Sequence, residues 1–268
     1  MSELASLDGR IAPAEETFVP ATDEGLLRGD GVFEVIRVYD GAPFALADHL
    51  ARIERSAANL RLQLPPTELL RDEALQLLAQ RDEHFDGALR ILVTRGGRRL
   101  LLTEPLPASS AADSVRLGVV TFSPTRVLDG IKSLSYGGNM LASRLARERG
   151  FDEALLVTPH GRVLEAPTSS IFWVDQGGTL CTPPLDEHIL ASITRDRVLR
   201  LLDVDERPAT LDDVRDAAEA FLASTTREVQ AVAAIEDREL PTAAGERTSE
   251  AAQALRRHIE EELQAVKA

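Results

Sequence analysis

Lysine is nearly missing from this chain: two residues of 268, Lys132 and Lys267, against 28 arginines. Arginine stays protonated at any ordinary pH and cannot act as a nucleophile, whereas lysine is a titratable amine able to form a Schiff base. Lys267 is the penultimate residue, so Lys132 is the one amine inside the body of the chain. Cysteine is as scarce, and the single Cys181 excludes an internal disulfide and points to the cytoplasm. No apolar run approaches the ~20 residues that span a bilayer. Met1-Ser2-Glu3-Leu4 lacks the basic and apolar regions of a signal peptide. The formal net charge of -14 opposes phosphate backbones and anionic membranes, which excludes a nucleic-acid or membrane partner yet leaves room for a local basic pocket.

What is present is ordinary for a soluble globular protein, with 44% hydrophobic and 28% charged residues and no repeats. The length suits one large or two moderate domains. Gly31 to Tyr39 alternates and is rich in β-branched and aromatic residues, and Asp40-Gly41 followed by Ala42-Pro43-Phe44 predicts a hairpin. Asp48 is placed to cap a helix carrying Leu50, Ile53, Ala57 and Leu60, and Thr67 to cap a second through about Gln80. Strands are expected at Ala88–Thr94 and Val115–Phe122, giving an α+β first half with an antiparallel sheet and two helices on one side. Residues 123–130 carry Pro and Gly and read as a linker, ahead of a helix near Tyr136. Strands at Glu153–Val157, Arg162–Glu165, Ile171–Val174 and Thr179–Thr182 follow on short turns and suggest a meander or barrel-like sheet. The remainder reads as helices at Ile193–Leu202, capped by Ser192, and after Leu211, then strands near Phe221–Ala223 and Val229–Ile235 and a last helix over Ser249–Val266.

Several residues have the chemistry of a cofactor site, each with an ordinary alternative. Glu165 ends an apolar strand, so its carboxylate points inward or is an exposed strand-end charge. Ser192-Ile193-Thr194 at a helix start offers backbone amides to an anion or is only a cap, and Ser224-Thr225-Thr226 poses the same choice. Arg52 shares a helix side with His49 and otherwise reads as a surface charge.

Taken in order, Gly29-Asp30-Gly31-Val32-Phe33-Glu34, His49-Leu50-Ala51-Arg52-Ile53, Lys132-Ser133-Leu134-Ser135-Tyr136, Asp152-Glu153-Ala154-Leu155-Leu156, Glu165 with Ser169-Ser170-Ile171-Phe172, Thr182-Pro183-Pro184-Leu185, Ile193-Thr194-Arg195 and Ser224-Thr225-Thr226 resemble the class IV pyridoxal-phosphate aminotransferases. That family groups branched-chain aminotransferases, D-amino acid aminotransferases and aminodeoxychorismate lyases. The resemblance covers nearly the whole chain. It implies an α+β, two-domain type IV fold, with a small domain over 1–122, a linker over 123–130 and a larger domain with a barrel-like sheet over 131–268. It also implies a cytoplasmic homodimer using pyridoxal 5'-phosphate and no metal.

By position, Lys132 matches the lysine that binds the cofactor covalently, Tyr136 the tyrosine at its phenolic oxygen, and Glu165 the carboxylate on its pyridine nitrogen. Arg52, Ile193, Thr194 and Thr225 match the phosphate cradle. An ionised Glu keeps the ring nitrogen protonated, and a lysine amine moves a proton between substrate Cα and cofactor carbon. Two departures stand out: Ser135 replaces a frequent Asn, and the Thr94-Arg95-Gly96-Gly97-Arg98-Arg99-Leu100 stretch lacks the His of the common D-amino acid enzymes. Phe33 likewise lacks the hydroxyl of their tyrosine and resembles the branched-chain group. Substrate contacts are expected from Phe33, Thr226 and Arg98, the last being a carboxylate partner or a solvated loop charge. The expected activity is amino transfer between a branched-chain L-amino acid or a D-amino acid and a 2-oxo acid; the alternative is an aminodeoxychorismate lyase that releases pyruvate.

Overall fold

The computed structural model describes residues 3–106 and 114–267, so Met1 and Ser2 of the N-terminal stretch lie outside the described residues. The chain falls into two compact units. The first holds the described residues of Met1–Leu106, Gly130–Tyr136 and Glu262–Ala268, and the second those of Pro107–Asp129 and Gly137–Glu261. This differs from the expected division at two places: the strand near residue 115 pairs within the second unit, and Lys132 lies in the first. Backbone pairing, which a reading of sequence order does not see, decides both.

The first unit contains β1 (Leu4–Leu7), β2 (Arg10–Pro13), α1 (Glu24–Arg28), β3 (Gly31–Tyr39), β4 (Ala42–Pro43), α2 (Leu46–Asn59), α3 (Thr67–Leu78), β5 (Gly87–Thr94) and β6 (Arg99–Glu104). Its sheet runs β2-β1-β6-β5-β3-β4 with every pair antiparallel. Two of its turns share one chemistry. Asp8-Gly9 and Asp40-Gly41 both take positive φ at both residues (54° and 88°; 49° and 76°), as a two-residue hairpin turn that matches strand twist requires. Strand β6, unread in the sequence, begins inside the arginine-rich stretch; Leu101 and Thr103 face inward and are fully covered. Asp48 sits inside the first turn of α2 rather than capping it, because the helix already starts at Leu46, and Thr67 is the first residue of α3, after Pro66.

The second unit contains β7 (Ser114–Thr121), α4 (Gly137–Glu148), β8 (Glu153–Val157), β9 (Ser170–Val174), β10 (Leu180–Thr182), α5 (Ile193–Leu201), β11 (Asp205–Glu206), α6 (Leu211–Arg215), β12 (Glu219–Ser224), β13 (Glu228–Ile235), β14 (Arg238–Glu239) and α7 (Glu246–Lys267), whose last residues from Glu262 count with the first unit. The strand order is β11-β10-β9-β12-β13-β7-β8, with β14 on β13. The sheet is mixed: β7 runs parallel to both β8 and β13. Of the two expected arrangements the four-strand meander is not formed, and the sheet is the barrel-like one, curled into a half-barrel. Arg162–Glu165 makes only isolated bridges, through Val163 to Val157 and Arg162 to Thr210, and β8 closes one edge of the sheet beside β7. Strand β8 is buried on both faces, which explains its unbroken Ala154-Leu155-Leu156-Val157 run. No helix among the described residues is long and apolar enough to cross a membrane.

Two stripes on α2 organise the first unit. Leu50, Ile53 and Ala57 join Val32, Ile36 and Val38 of β3 in the core, where fully burying a side chain such as Ile53 stabilises by about 1.5–3 kcal/mol. The second stripe, His49, Arg52 and Ser56, recurs at helical spacing and is equally buried, so it carries polar groups into an apolar layer. Glu34, on the same face of β3 as Val32 and Ile36, meets it. Its carboxylate accepts Arg52 Nε and Nη2, both at 2.6 Å, and bonds His49 Nδ1 at 2.7 Å. Arg52 is thus no surface charge.

Burial alone would raise the Glu34 pKa, but the Arg52 charge and hydrogen bonds outweigh it and hold the carboxyl at about 2, against an ordinary 4.5. Burial holds His49 below its usual value, with Glu34 pulling the other way. A depressed carboxyl contributes stability that is complete above its unfolded pKa and is lost as pH falls through the folded one. Glu34→Gln is therefore expected to destabilise by about 3–5 kcal/mol at pH 7. Denaturant unfolding of both proteins should show the gap narrowing from pH 4.5 downward; a gap constant with pH would contradict an ionised Glu34.

Candidate active site

Lys132 is placed by the backbone. The N-terminal half of β3 has an open edge, since β4 pairs only with Val38 and Tyr39. Residues 131–134 fill it: Phe33 N donates to the Lys132 carbonyl at 3.0 Å, Ser133 bridges to Val32, and Leu134 N donates to the Gly31 carbonyl at 2.9 Å. Lys132 N donates to Ser56 Oγ at 3.1 Å, so the polar stripe of α2 ends on the lysine. Gly31 has no room for a side chain, because a Cβ there would lie 2.6 Å from both Leu134 Cδ1 and the Val93 carbonyl. Ile131 packs on the first unit's core. With its backbone held on both sides, Lys132 directs Nζ to 4.4 Å from the Phe33 ring centre and 5.7 Å from that of Tyr136. The two rings meet edge to face at 5.3 Å. The sequence-predicted Lys132, Phe33 and Tyr136 are thus brought together within the first unit, next to a Glu34–His49–Arg52 network.

The second unit carries the other expected residues. Glu165 is half-buried, and its Oε1 accepts the Leu190 N–H at 3.2 Å. Its backbone is fixed by Leu156, whose N–H donates to the Glu165 carbonyl at 2.9 Å. Helix α5 starts where the sequence placed it: Ser192 Oγ accepts Arg195 N at 3.3 Å, and the Ser192 carbonyl accepts Asp196 N at 3.0 Å. The amides of Ile193 and Thr194 therefore precede the helical ladder, at the positive end of the helix dipole. Arg195 is buried and ties this start to the Pro183 carbonyl of the preceding loop (2.8 Å) and to Glu206 of β11 (2.6 Å). Thr225 and Thr226 form the turn between β12 and β13 and are half-buried.

Arg98 stands in the turn between β5 and β6, its side chain 44% exposed, with Nη1 on Asp8 at 2.7 Å. Burial would raise the Asp8 carboxyl, but the Arg99 amide and the Arg98 guanidinium hold it below the usual carboxylate range. Cys181 is no competitor as a nucleophile, since burial pushes its thiol up to about 11. Among the described residues no His, Cys, Asp and Glu side chains group as metal ligands. Two features went unread in the sequence, the carboxylate network on Arg52 and a buried pair between Glu153 and Arg227 at 2.6 Å. Glu34 had a signal, a lone acidic residue inside an apolar strand pattern, whereas Glu153 opens its strand directly after Asp152 and gave no comparable one.

A family model described as class IV amino-transferase matches residues 31–235. A Methanocaldococcus jannaschii protein named a putative branched-chain-amino-acid aminotransferase is 36% identical over 254 residues, 87% of this chain and 88% of its own length. A D-alanine aminotransferase of Bacillus licheniformis is 33% identical, over 85% of this chain and 87% of its own. The solved structure of a fold IV transaminase from Curtobacterium pusillum matches with a TM-score of 0.84 at 30% identity, covering 94% of this chain and 98% of its own. The chain belongs to the class IV aminotransferases and is a pyridoxal-phosphate-dependent enzyme of the type IV fold.

Proposed function

We propose that the protein is a cytoplasmic, homodimeric aminotransferase exchanging an amino group between a branched-chain L-amino acid or a D-amino acid and a 2-oxo acid. The observation that carries this reading is the single body amine, Lys132, pinned on the edge of β3 and directed along Phe33 and Tyr136. The donor set fits the cofactor: an amine for an aldehyde, a phenol for a phenolic oxygen, a carboxylate for a basic ring nitrogen, and helix amides with a hydroxyl for a phosphate. Bound pyridoxal phosphate supplies a protonated ring that accepts electrons from the substrate Cα.

The chain's own residues do the remaining work. Lys132 Nζ would hold the cofactor covalently and would carry the substrate Cα proton. The Glu165 carboxylate, oriented by the Leu190 amide, keeps the ring nitrogen protonated. The Ile193 and Thr194 amides, the Thr225 hydroxyl and Arg52, itself oriented by Glu34, take the phosphate. Tyr136 takes the phenolic oxygen. Phe33 and Thr226 contact substrate, and Arg98 takes its carboxylate in exchange for Asp8. Phe33 offers no hydroxyl, which favours apolar substrates. Exposed Phe18, Leu26 and Leu27 on the first unit, and Val127, Leu141 and Leu145 on the second, support self-association.

Mixing the enzyme with an amino donor alone is expected to convert the cofactor to its pyridoxamine form; release of pyruvate instead would mean a lyase. Borohydride reduction and peptide mapping should place the cofactor on the peptide containing Lys132, and label on Lys267 would sink the assignment. Glu165→Gln is expected to keep the cofactor bound yet slow Cα proton abstraction by orders of magnitude, and unchanged half-reaction rates would remove Glu165 from the mechanism. Arg98→Ala should lose activity on amino acids far more than on amines lacking a carboxylate. Equal losses on both in stopped-flow half-reactions would leave Arg98 as the partner of Asp8 alone.

A further inference from the structure

We infer that Arg227 is a positioning residue, whose guanidinium, locked by Glu153 and Gln230, holds the Thr225–Thr226 turn in the one geometry that grips phosphate and substrate carboxylate. The inference rests on the roles proposed above for those two threonines.

The turn is unusual in its chemistry. Ser224 pairs with Glu228, which leaves Thr225, Thr226 and Arg227 as a three-residue hairpin loop. Such loops close through a left-handed residue, ordinarily glycine. Here the left-handed conformation falls on the residue just after the loop, Glu228, with φ at 55°. A side chain in that region is strained and persists where its surroundings fix the backbone. Arg227 supplies that fixing. Its amide donates to Ser224 Oγ at 3.4 Å, Nη1 to Gln230 Oε1 at 2.5 Å, and Nη2 to Glu153 Oε2 at 2.6 Å. The other oxygen of Glu153 accepts Ser143 Oγ at 2.7 Å and its neighbour's amide, Ala154 N, at 3.0 Å. One network thus joins α4, the start of β8 and the turn. The side chains of Arg227 and Glu153 are 4% and 2% exposed.

Stability is a poor reason for such a pair. Removing two charges from water costs about as much as their attraction returns, and apolar residues of the same volume do as well or better. What an apolar pair does not provide is a planar fork with directional bonds on both sides, able to fix one loop register. Arg227 is adjacent in sequence to the two half-buried threonines assigned to ligand, so the register it fixes is theirs.

The test compares equilibrium binding of pyridoxal phosphate with that of pyridoxal, which lacks the phosphate, to the cofactor-depleted full-length protein. Arg227→Met combined with Glu153→Gln removes both charges while keeping an acceptor for Ser143 and Ala154. This double variant is expected to keep its thermal midpoint near that of the parent. It should lose about tenfold of the preference for the phosphorylated form, the worth of one hydrogen bond, and raise KM for amino acids more than it lowers kcat. Arg227→Lys, which keeps the charge without the fork, is expected to fold and to lose part of the same preference. An undiminished preference in either folded variant overturns the inference, as does an equal weakening toward both forms, which marks a merely structural pair. Thr225→Ala is measured in parallel. If it loses the preference and the Arg227 variants do not, the role of Arg227 fails alone; if it keeps the preference, the phosphate role of Thr225 fails with it.

Discussion

An open strand edge is a row of backbone donors and acceptors that must find partners, and the N-terminal half of β3 has such an edge. Residues 131–134 supply the partners, and this pairing is what turns a lysine far along the chain into a fixed amine. Everything near it follows. Gly31 is side-chain-free because Leu134 and the Val93 carbonyl press on it. Ser56, on α2, is polar because it receives the Lys132 amide. Phe33 is one residue along β3 from the bridge at Val32, so its ring lies beside the amine rather than in the core.

The inner face of the same strand carries the second constraint. A carboxylate at the centre of an apolar layer survives only if its charge is met, and Glu34 is met by a two-point guanidinium contact and an imidazole. A buried carboxylate also meets a guanidinium in the second unit, where Glu153 accepts Arg227 through one nitrogen. A chain with 28 arginines uses them as forks that tie elements together, as Arg195 also does between α5 and the loop at Pro183. Lysine is a point charge with a titratable amine and offers no such fork.

Periodicity and turn chemistry made much of the fold legible. Strand β3 runs over the residues its alternation predicted, Ser192 caps α5, and Asp40-Gly41 makes its turn, because each depends on interactions between near neighbours. The equivalent Asp8-Gly9 signal was as readable and went unread. Strand β6 was hidden by its arginines, since a strand half exposed on an antiparallel sheet tolerates charge and its Leu101 and Thr103 show their burial only once β1 and β5 flank them.

The sequence by itself determined the chemistry available: one body lysine, a tyrosine four residues on, a helix start rich in small caps, a pair of threonines in a turn. It determined these because residue type and short spacing are properties of the chain. The tertiary structure alone decided which strands are neighbours, and with that the parallel pairing of β7, the place of Lys132 in the first unit, and the meeting of Glu34 with Arg52 and of Glu153 with Arg227 across 18 and 74 residues. Those contacts are set by which buried charge finds which partner when apolar layers close. That is a matter of free energy summed over the packed unit, and no local stretch of sequence contains it.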